Sequence, residues 1–175
     1  SAYAHFTSLL EHIKAQPEGT QLGYGSYSHC LTLGWLARCL RREGKVDEAE
    51  AQLREALAII DTLISQQPDD RGFLHQRAAL LGELGDVLRD RGEYKQARKA
   101  YEEGLKIAEQ QGYRRQQSIA LEQLARLAFE QPDYVQARSY YRKALDSIRE
   151  LDEPARESTV WHELGMIAYT LALGY

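Results

Sequence analysis

Residues 92–105 read Gly92-Glu93-Tyr94-Lys95-Gln96-Ala97-Arg98-Lys99-Ala100-Tyr101-Glu102-Glu103-Gly104-Leu105. A turn at Gly92-Glu93 is followed by apolar or small residues that recur every three or four positions. This spacing predicts one buried stripe on an α-helix. The stripe consists of Tyr94, Ala97, Tyr101, Gly104, Leu105 and Ala108.

The same stripe occurs twice more in the chain. The upstream copy consists of Val46, Ala49, Leu53, Ala56, Leu57 and Ile60. The downstream copy consists of Tyr134, Ala137, Tyr141, Ala144, Leu145 and Ile148. Three copies of one offset pattern indicate an internal repeat, so the chain is interpreted as stacked helical units.

A second pattern, large-x-x-Leu-small-x-x-apolar, precedes each stripe and occurs once more near the end of the chain. Its four copies are Leu33/Leu36/Ala37/Leu40, Leu81/Leu84/Gly85/Leu88, Leu121/Leu124/Ala125/Ala128 and Trp161/Leu164/Gly165/Ala168. Twelve residues after the small residue of the first three copies come Ala49, Ala97 and Ala137. Together the two patterns resemble the tetratricopeptide repeat, W-x₂-L-G-x₂-Y…A-x₃-F, from about Cys30 to Tyr175.

The chain reads as about eight helices with no strand, and the resemblance implies an all-α fold, a right-handed α-solenoid of antiparallel helix pairs. We expect a single domain, 1–175. Its parts are an N-terminal helix and loop at 3–25, three repeats at 26–67, 69–112 and 114–151, and the first helix of a partial repeat at 154–175.

The repeat is longer than the family's usual period of about 34 residues. Ala49 and Ala97 are 97 − 49 = 48 positions apart, and Ala97 and Ala137 are 137 − 97 = 40 positions apart. The chain therefore resembles the 40-residue class found in kinesin light chains and in bacterial signalling proteins.

Some helix ends can also be predicted. Asp69 or Asp70 follows Pro68 and can cap the next helix. Asp152 is predicted as an N-cap with Pro154 in the first turn, and Gly174 as a C-terminal cap.

Composition limits the class of protein. Of the 175 residues, 43% are hydrophobic and 27% charged, and the net charge is −4, which gives no reason to expect binding to nucleic acid or to an anionic membrane. No apolar run approaches the roughly 20 residues that span a bilayer. Cys30 and Cys39 would lie on opposite faces of one helix, so we expect free thiols and a cytoplasmic location.

The residues that would indicate an enzyme are missing. His5 and His12 would share a helix face but lie roughly 10 Å apart, too far to bind one metal ion. Gly82-Glu83-Leu84-Gly85 lacks the Lys-Ser/Thr of a phosphate-binding loop, and no serine has a nucleophile-elbow sequence. We therefore predict no catalytic site, no metal and no cofactor.

The resemblance implies a concave surface lined by the first helix of each repeat. The candidate groove residues are Arg38, Arg41, Asp86, Arg89, Glu122, Arg126, Phe129, His162 and Tyr169. The family's clamp for a C-terminal carboxylate needs Lys and Asn at positions where this chain has neither. Arg38, Arg89 and Arg126 would instead bind an acidic or phosphorylated peptide. The alternative is that they pair with Asp86, Glu122 and Glu83 as an ordinary polar surface.

The C-terminal stripe suggests a second kind of contact. As a first helix with no second helix after it, this segment would leave apolar side chains uncovered, which is typical of an interaction site. We expect self-association as a two-fold homodimer. The candidate residues are Trp161, Leu164, Ala168, Leu171 and Tyr175.

The sequence thus favours a non-catalytic scaffold module of a larger bacterial signalling or regulatory protein, which binds a protein or peptide. One alternative is a homo-oligomerisation module. Another is an RNA-binding or enzyme-regulatory repeat domain, although the acidic balance argues against a basic groove.

Overall fold

The computed structural model describes Ser8, Glu11 and residues 25–174, and all regular structure in those residues is helical. The seven helices are α1 (Ser26–Arg42), α2 (Val46–Gln66), α3 (Arg71–Asp90), α4 (Tyr94–Gln111), α5 (Arg114–Glu130), α6 (Tyr134–Glu150) and α7 (Pro154–Ala172). Apart from Ser8 and Glu11, the predicted N-terminal helix from Tyr3 to about Ala15 lies outside the described residues, as does most of the loop at 16–25. The all-α prediction is confirmed.

A glycine ends each of the helices α1 and α3 by the same hydrogen-bonding pattern. Gly44 and Gly92 follow α1 and α3 with φ angles of 77° and 80°, a left-handed conformation that glycine adopts without steric cost. The next residue in each case donates its backbone N–H back to the helix. Lys45 donates to the carbonyl oxygen of Leu40 at 2.9 Å, and Glu93 donates to that of Leu88 at 2.8 Å. This is the Schellman motif, which turns the chain sharply into the next helix.

Acidic side chains begin two helices. The Asp70 carboxylate accepts a hydrogen bond from the backbone N–H of Phe73 at 2.9 Å, which confirms that prediction. Asp133 caps α6 in the same way, accepting from Gln136 at 3.1 Å.

The predicted N-cap at Asp152 is wrong, although Pro154 does lie in the first turn of α7. Proline takes the first helical position, so the cap must be the residue immediately before it. That residue is Glu153, whose side chain makes no capping hydrogen bond. Asp152 instead has a positive φ of 53° and donates its N–H to Arg149 at the end of α6.

The chain divides into two compact units, Ser1–Glu93 and Tyr94–Tyr175, which we call unit 1 and unit 2. In unit 1, α2 packs on α1 and α3 packs on α2. The core contains Ala49 and Leu53 of the predicted stripe, both fully buried, together with Leu33 and Ala37 of α1. Each of these helices buries its apolar stripe only by packing on a neighbouring helix, and the short connections keep those neighbours adjacent.

In unit 2, each helix packs on the next, α4 on α5, α5 on α6 and α6 on α7. One core cluster contains Ala125 of α5, Ala137 and Tyr141 of α6, and Val160 and Ile167 of α7. Ala97 and Tyr101 of α4 are also fully buried. Ala97, Tyr101, Ala137 and Tyr141 are thus buried as the stripe predicted.

Both cysteines are free, as expected. Cys30 lies in the core of unit 1 with its thiol 3.5 Å from the carbonyl oxygen of Ala56, and burial raises its pKa to about 12. Such a thiol stays protonated near neutral pH and is unreactive. Among the helices at 26–172, none has both the length and the apolar character needed to cross a bilayer.

Candidate functional site

Two arginines of α1 reach acidic side chains of α3. Arg38 Nε donates to Glu83 Oε1 at 2.7 Å, and Arg41 Nη1 donates to Asp86 Oδ2 at 2.6 Å. Arg41 also places its Nε 3.3 Å from Asp90 Oδ2. Burial alone would lower the pKa of Arg41, but the hydrogen bond to Asp86 and the attraction of the three carboxylates raise it above its usual value.

Arg89, the third candidate arginine of unit 1, joins the same network from α3. Its Nη2 donates to Asp90 Oδ1 at 3.1 Å, and its Nη1 lies 3.7 Å from Asp86 Oδ1. All three arginines therefore face carboxylates of their own unit. For Arg38 and Arg89, such pairing is the alternative that the sequence left open.

The carboxylate of Glu83 is poorly solvated. Burial raises its pKa above the usual range, even though Arg38 and Arg41 both act to lower it. A half-buried carboxylate of this kind benefits from cations close by, which is what α1 supplies.

A cleft lies beside this network between α1 and α3, and we call it the unit 1 cleft. Its cavity volume is about 120 Å³. It is lined by Leu31, Gly34, Trp35, Arg38, Gln76, Ala79, Leu80 and Glu83. A second hollow of about 240 Å³ adjoins it and is lined by Arg38, Arg41, Arg42, Glu83 and Asp86.

Trp35 forms one wall of the cleft and is not among the candidate residues predicted from the sequence. Its side chain is 51% exposed, and the guanidinium carbon of Arg38 lies 4.7 Å from the ring centroid. Gly34 allows α3 to come close, because a Cβ there would meet Leu80 Cδ2 at 3.2 Å. The sequence signal that could have identified this cleft is a tryptophan that lies next to a glycine and outside the buried stripe of α1.

In unit 2, Glu122 is held by an arginine of α7. Arg156 donates to the Glu122 carboxylate, to Ser118 Oγ at 2.9 Å and to Glu153 at 2.7 Å. Arg115 donates to Glu153 as well. Burial raises the pKa of Glu122 above its usual value, and Arg156 opposes the shift. This cluster joins α5 to the start of α7.

Arg126 is exposed, and its charge lies near Glu122. Arg126 also acts to lower the pKa of Tyr141, which burial and the negative charge of Glu163 raise to about 12. Phe129 is half-buried, with its ring centroid 5.4 Å from that of Tyr134. Phe129, although predicted as a groove residue, thus belongs partly to the core of unit 2.

The remaining two candidates, His162 and Tyr169, are exposed on α7. Of the residues proposed for self-association, Leu164 is only 8% exposed and packs in the core of unit 2, and Leu171 packs against that core. Trp161 and Ala168 are exposed. Tyr175 lies outside the described residues.

The chemistry available at these positions is that of a binding surface. Ion pairs, a half-exposed tryptophan and small clefts can hold a side chain of a partner. In the part of the chain that the structure describes, no group of three or more histidine, cysteine or acidic residues could hold a metal ion.

Comparison with known proteins identifies a repeat in part of the chain. Residues 76–150 match the sequence model of the family described as Tetratricopeptide repeat. No curated protein matches this chain in sequence. This match does not test the length of the repeat, so membership of the 40-residue class stays a prediction.

Two solved structures are similar to this one. BtubC (BKLC) from P. vanneervenii has a TM-score of 0.77 at 22% identity, over 96% of this chain and 65% of that chain. At this identity the likeness shows the fold alone, and the chain spans about two thirds of the length of that protein. A STAND protein with a tetratricopeptide repeat sensor, PH0952 from Pyrococcus horikoshii, has a TM-score of 0.45 at 17% identity, over 89% of this chain and 28% of that chain.

Proposed function

We propose that this chain, which belongs to the tetratricopeptide repeat family through residues 76–150, is a scaffold that binds a protein or peptide partner without catalysing a reaction. The family is generally non-catalytic, and its stacked helix pairs commonly serve as binding surfaces. The chain would act as a module of a larger bacterial signalling or regulatory protein.

The unit 1 cleft is the observation that supports this proposal most directly. It combines an exposed aromatic ring at Trp35 with the apolar side chains of Leu31 and Leu80 and the polar ends of Gln76 and Glu83. Aromatic and arginine side chains in a sheltered hollow are the typical energetic centre of a protein interface. An apolar or aromatic side chain of a partner would fit beside Trp35.

The hollow that adjoins the cleft favours a negatively charged partner. Of the three guanidinium groups that line it, those of Arg38 and Arg41 already pair with Glu83, Asp86 and Asp90, which leaves that of Arg42. Arg42 is exposed and forms no ion pair with the other residues that the structure describes. We therefore propose an acidic peptide, with a carboxylate near Arg42 and a neighbouring apolar side chain in the cleft.

Substitution of Trp35 and Arg42 tests the proposal. A library of fluorescent peptides would contain acidic sequences with one aromatic residue, the same sequences with amides in place of carboxylates, and basic sequences. We expect W35A to weaken binding of the acidic peptides at least about tenfold. R42A should weaken it about three- to tenfold at low salt, with a smaller loss at high salt, because exposed charges are screened.

Arg54→Ala is the matched control, because it removes the same charge from a largely exposed side chain of α2 that pairs with Glu50 and lies outside the cleft. R54A should bind as the unmodified chain does. Arg126→Ala tests the exposed arginine of unit 2 in the same assay. Equal binding of all peptides by the unmodified chain, W35A and R42A would contradict the proposal.

Homo-oligomerisation is a second candidate function, and the exposed apolar side of α7 favours it. No comparable observation favours RNA, because Arg38, Arg41 and Arg89 are paired with carboxylates that a phosphate backbone would have to displace.

A further inference from the structure

One row of side chains runs along α1 beside the unit 1 cleft. Trp35, Arg38 and Arg42 are three and four positions apart, so they lie on the same face of the helix. Trp35 and Arg42 are exposed, and Arg38 between them is half-buried. We call these three residues the α1 row. It presents an aromatic ring at one end, a cation at the other end and a second cation in the middle.

The middle cation of the α1 row is already held by α3. Glu83 places its Oε1 2.7 Å from Arg38 Nε, and its Oε2 lies 4.0 Å from Arg41 Nη1. The Glu83 side chain is 22% exposed, and it lines both the cleft and the hollow that adjoins it. A partner that contacts both ends of the α1 row must therefore pass this carboxylate.

The three positions of the α1 row favour different side chains of a partner. Trp35 favours an apolar or aromatic side chain, and Arg42 favours a carboxylate. The middle position disfavours a carboxylate, because Arg38 is already paired and Glu83 would repel a second negative charge. It also disfavours a cation, which would approach Arg38 and Arg41. An uncharged residue fits the middle position best.

The length of the α1 row sets the spacing of these groups in the partner. Trp35 and Arg42 are 42 − 35 = 7 positions apart, which corresponds to roughly 10 Å along a helix. An extended peptide advances about 3.3 Å per residue, so about three residues cover that distance. A peptide in the polyproline II conformation also returns its side chains to the same side after about three residues.

From these observations, and resting on the proposed function, we propose that Glu83 restricts the unit 1 cleft to partners with one pattern of charge. The pattern is an apolar or aromatic residue, two uncharged residues and then one acidic residue, in either chain direction. A run of acidic residues, or a phosphorylated residue beside the apolar one, is repelled by Glu83. Glu83 is thus a specificity-determining residue that selects against additional negative charge.

A series of fluorescent peptides tests the spacing in the unmodified chain. Each peptide has one phenylalanine and one glutamate at increasing distances from it, in both directions, on an otherwise neutral background. Fluorescence anisotropy should show the tightest binding at a separation of about three residues, the length of the α1 row. A second glutamate between the two residues should weaken binding at least about threefold, although it makes the peptide more acidic.

Glu83→Gln tests the role of the carboxylate. Glutamine keeps an acceptor oxygen for Arg38 and has no charge to solvate, so E83Q should fold as the unmodified chain does, which circular dichroism checks. In E83Q the second glutamate should strengthen binding instead, so the ratio of the affinities for the two peptides should change at least about fivefold. Glu48→Gln is the matched control, because it removes the same charge from an exposed side chain of α2 outside the cleft, and it should leave the ratio unchanged.

Equal binding at every separation, or the same ratio in E83Q and in E48Q, would overturn this inference. The proposed function has a separate criterion, because it requires that W35A and R42A weaken binding. If those variants weaken binding while the spacing and Glu83 have no effect, the proposed function stands and this inference fails. If no peptide binds the unmodified chain, both fail.

Discussion

Small residues at fixed positions allow the helices of unit 2 to pack closely. Ala125 of α5 and Ala137 of α6 are both fully buried in one core cluster. Helix axes approach to about 8–10 Å only where the side chains at the crossing are small. A larger side chain must therefore move one helix or adopt a strained rotamer.

We expect Ala137→Leu to lower the free energy of unfolding by about 1–3 kcal/mol, because three added carbons have no room in a close-packed core. Urea unfolding followed by circular dichroism measures the change. Ser139→Leu, two residues further along α6 and exposed, is the control and should change stability by less than about 0.5 kcal/mol. Equal stability of both variants would show that the crossing has spare volume.

At the scale of the element, the start of α3 depends on one carboxylate. The Asp70 side chain accepts a hydrogen bond from Phe73, and this bond satisfies one of the backbone N–H groups that have no partner inside the helix. Asp69 is adjacent and exposed, and α3 is capped by Asp70 alone of the two. The pair therefore separates the effect of the cap from the effect of a negative charge near the helix N-terminus.

Asp70→Ala should cost about 1 kcal/mol of stability, as the loss of an N-cap usually does. Asp69→Ala should cost only about 0.3 kcal/mol of stability, because a charge near the helix N-terminus that makes no hydrogen bond stabilises the helix less than a cap does. Urea unfolding of the two variants side by side gives the difference. If D69A were as destabilised as D70A, charge rather than capping would stabilise the start of α3.

The elements themselves could be predicted from the sequence, because a helix buries a stripe whose spacing does not depend on its neighbours. Ala49, Ala97 and Ala137 are fully buried for this reason. Which carboxylate Arg38 and Arg41 each pair with could not be predicted, since the choice among Glu83, Asp86 and Asp90 depends on how far each helix is rotated. The unit 1 cleft was missed because two helices that are distant in sequence form it.

At the scale of the whole molecule, two separate cores suggest that stability is divided between the units. Unit 1 and unit 2 each contain a core cluster of their own. In repeat proteins, stability is approximately a sum of contributions from each repeat and from its contacts with its neighbours. A cavity in one core should then affect its own unit more than the other.

The two tryptophans allow this to be measured, because Trp35 lies in unit 1 and Trp161 in unit 2. Trp161→Phe leaves a probe of unit 1, and Trp35→Phe leaves a probe of unit 2. Ile148→Ala removes a fully buried side chain from the unit 2 core and should cost about 2–5 kcal/mol there. We expect the urea midpoint reported by Trp161 to fall by more than the midpoint reported by Trp35. Ile60→Ala, equally buried in unit 1, should show the reverse order, whereas equal shifts at both probes for both substitutions would mean that the two cores unfold as one.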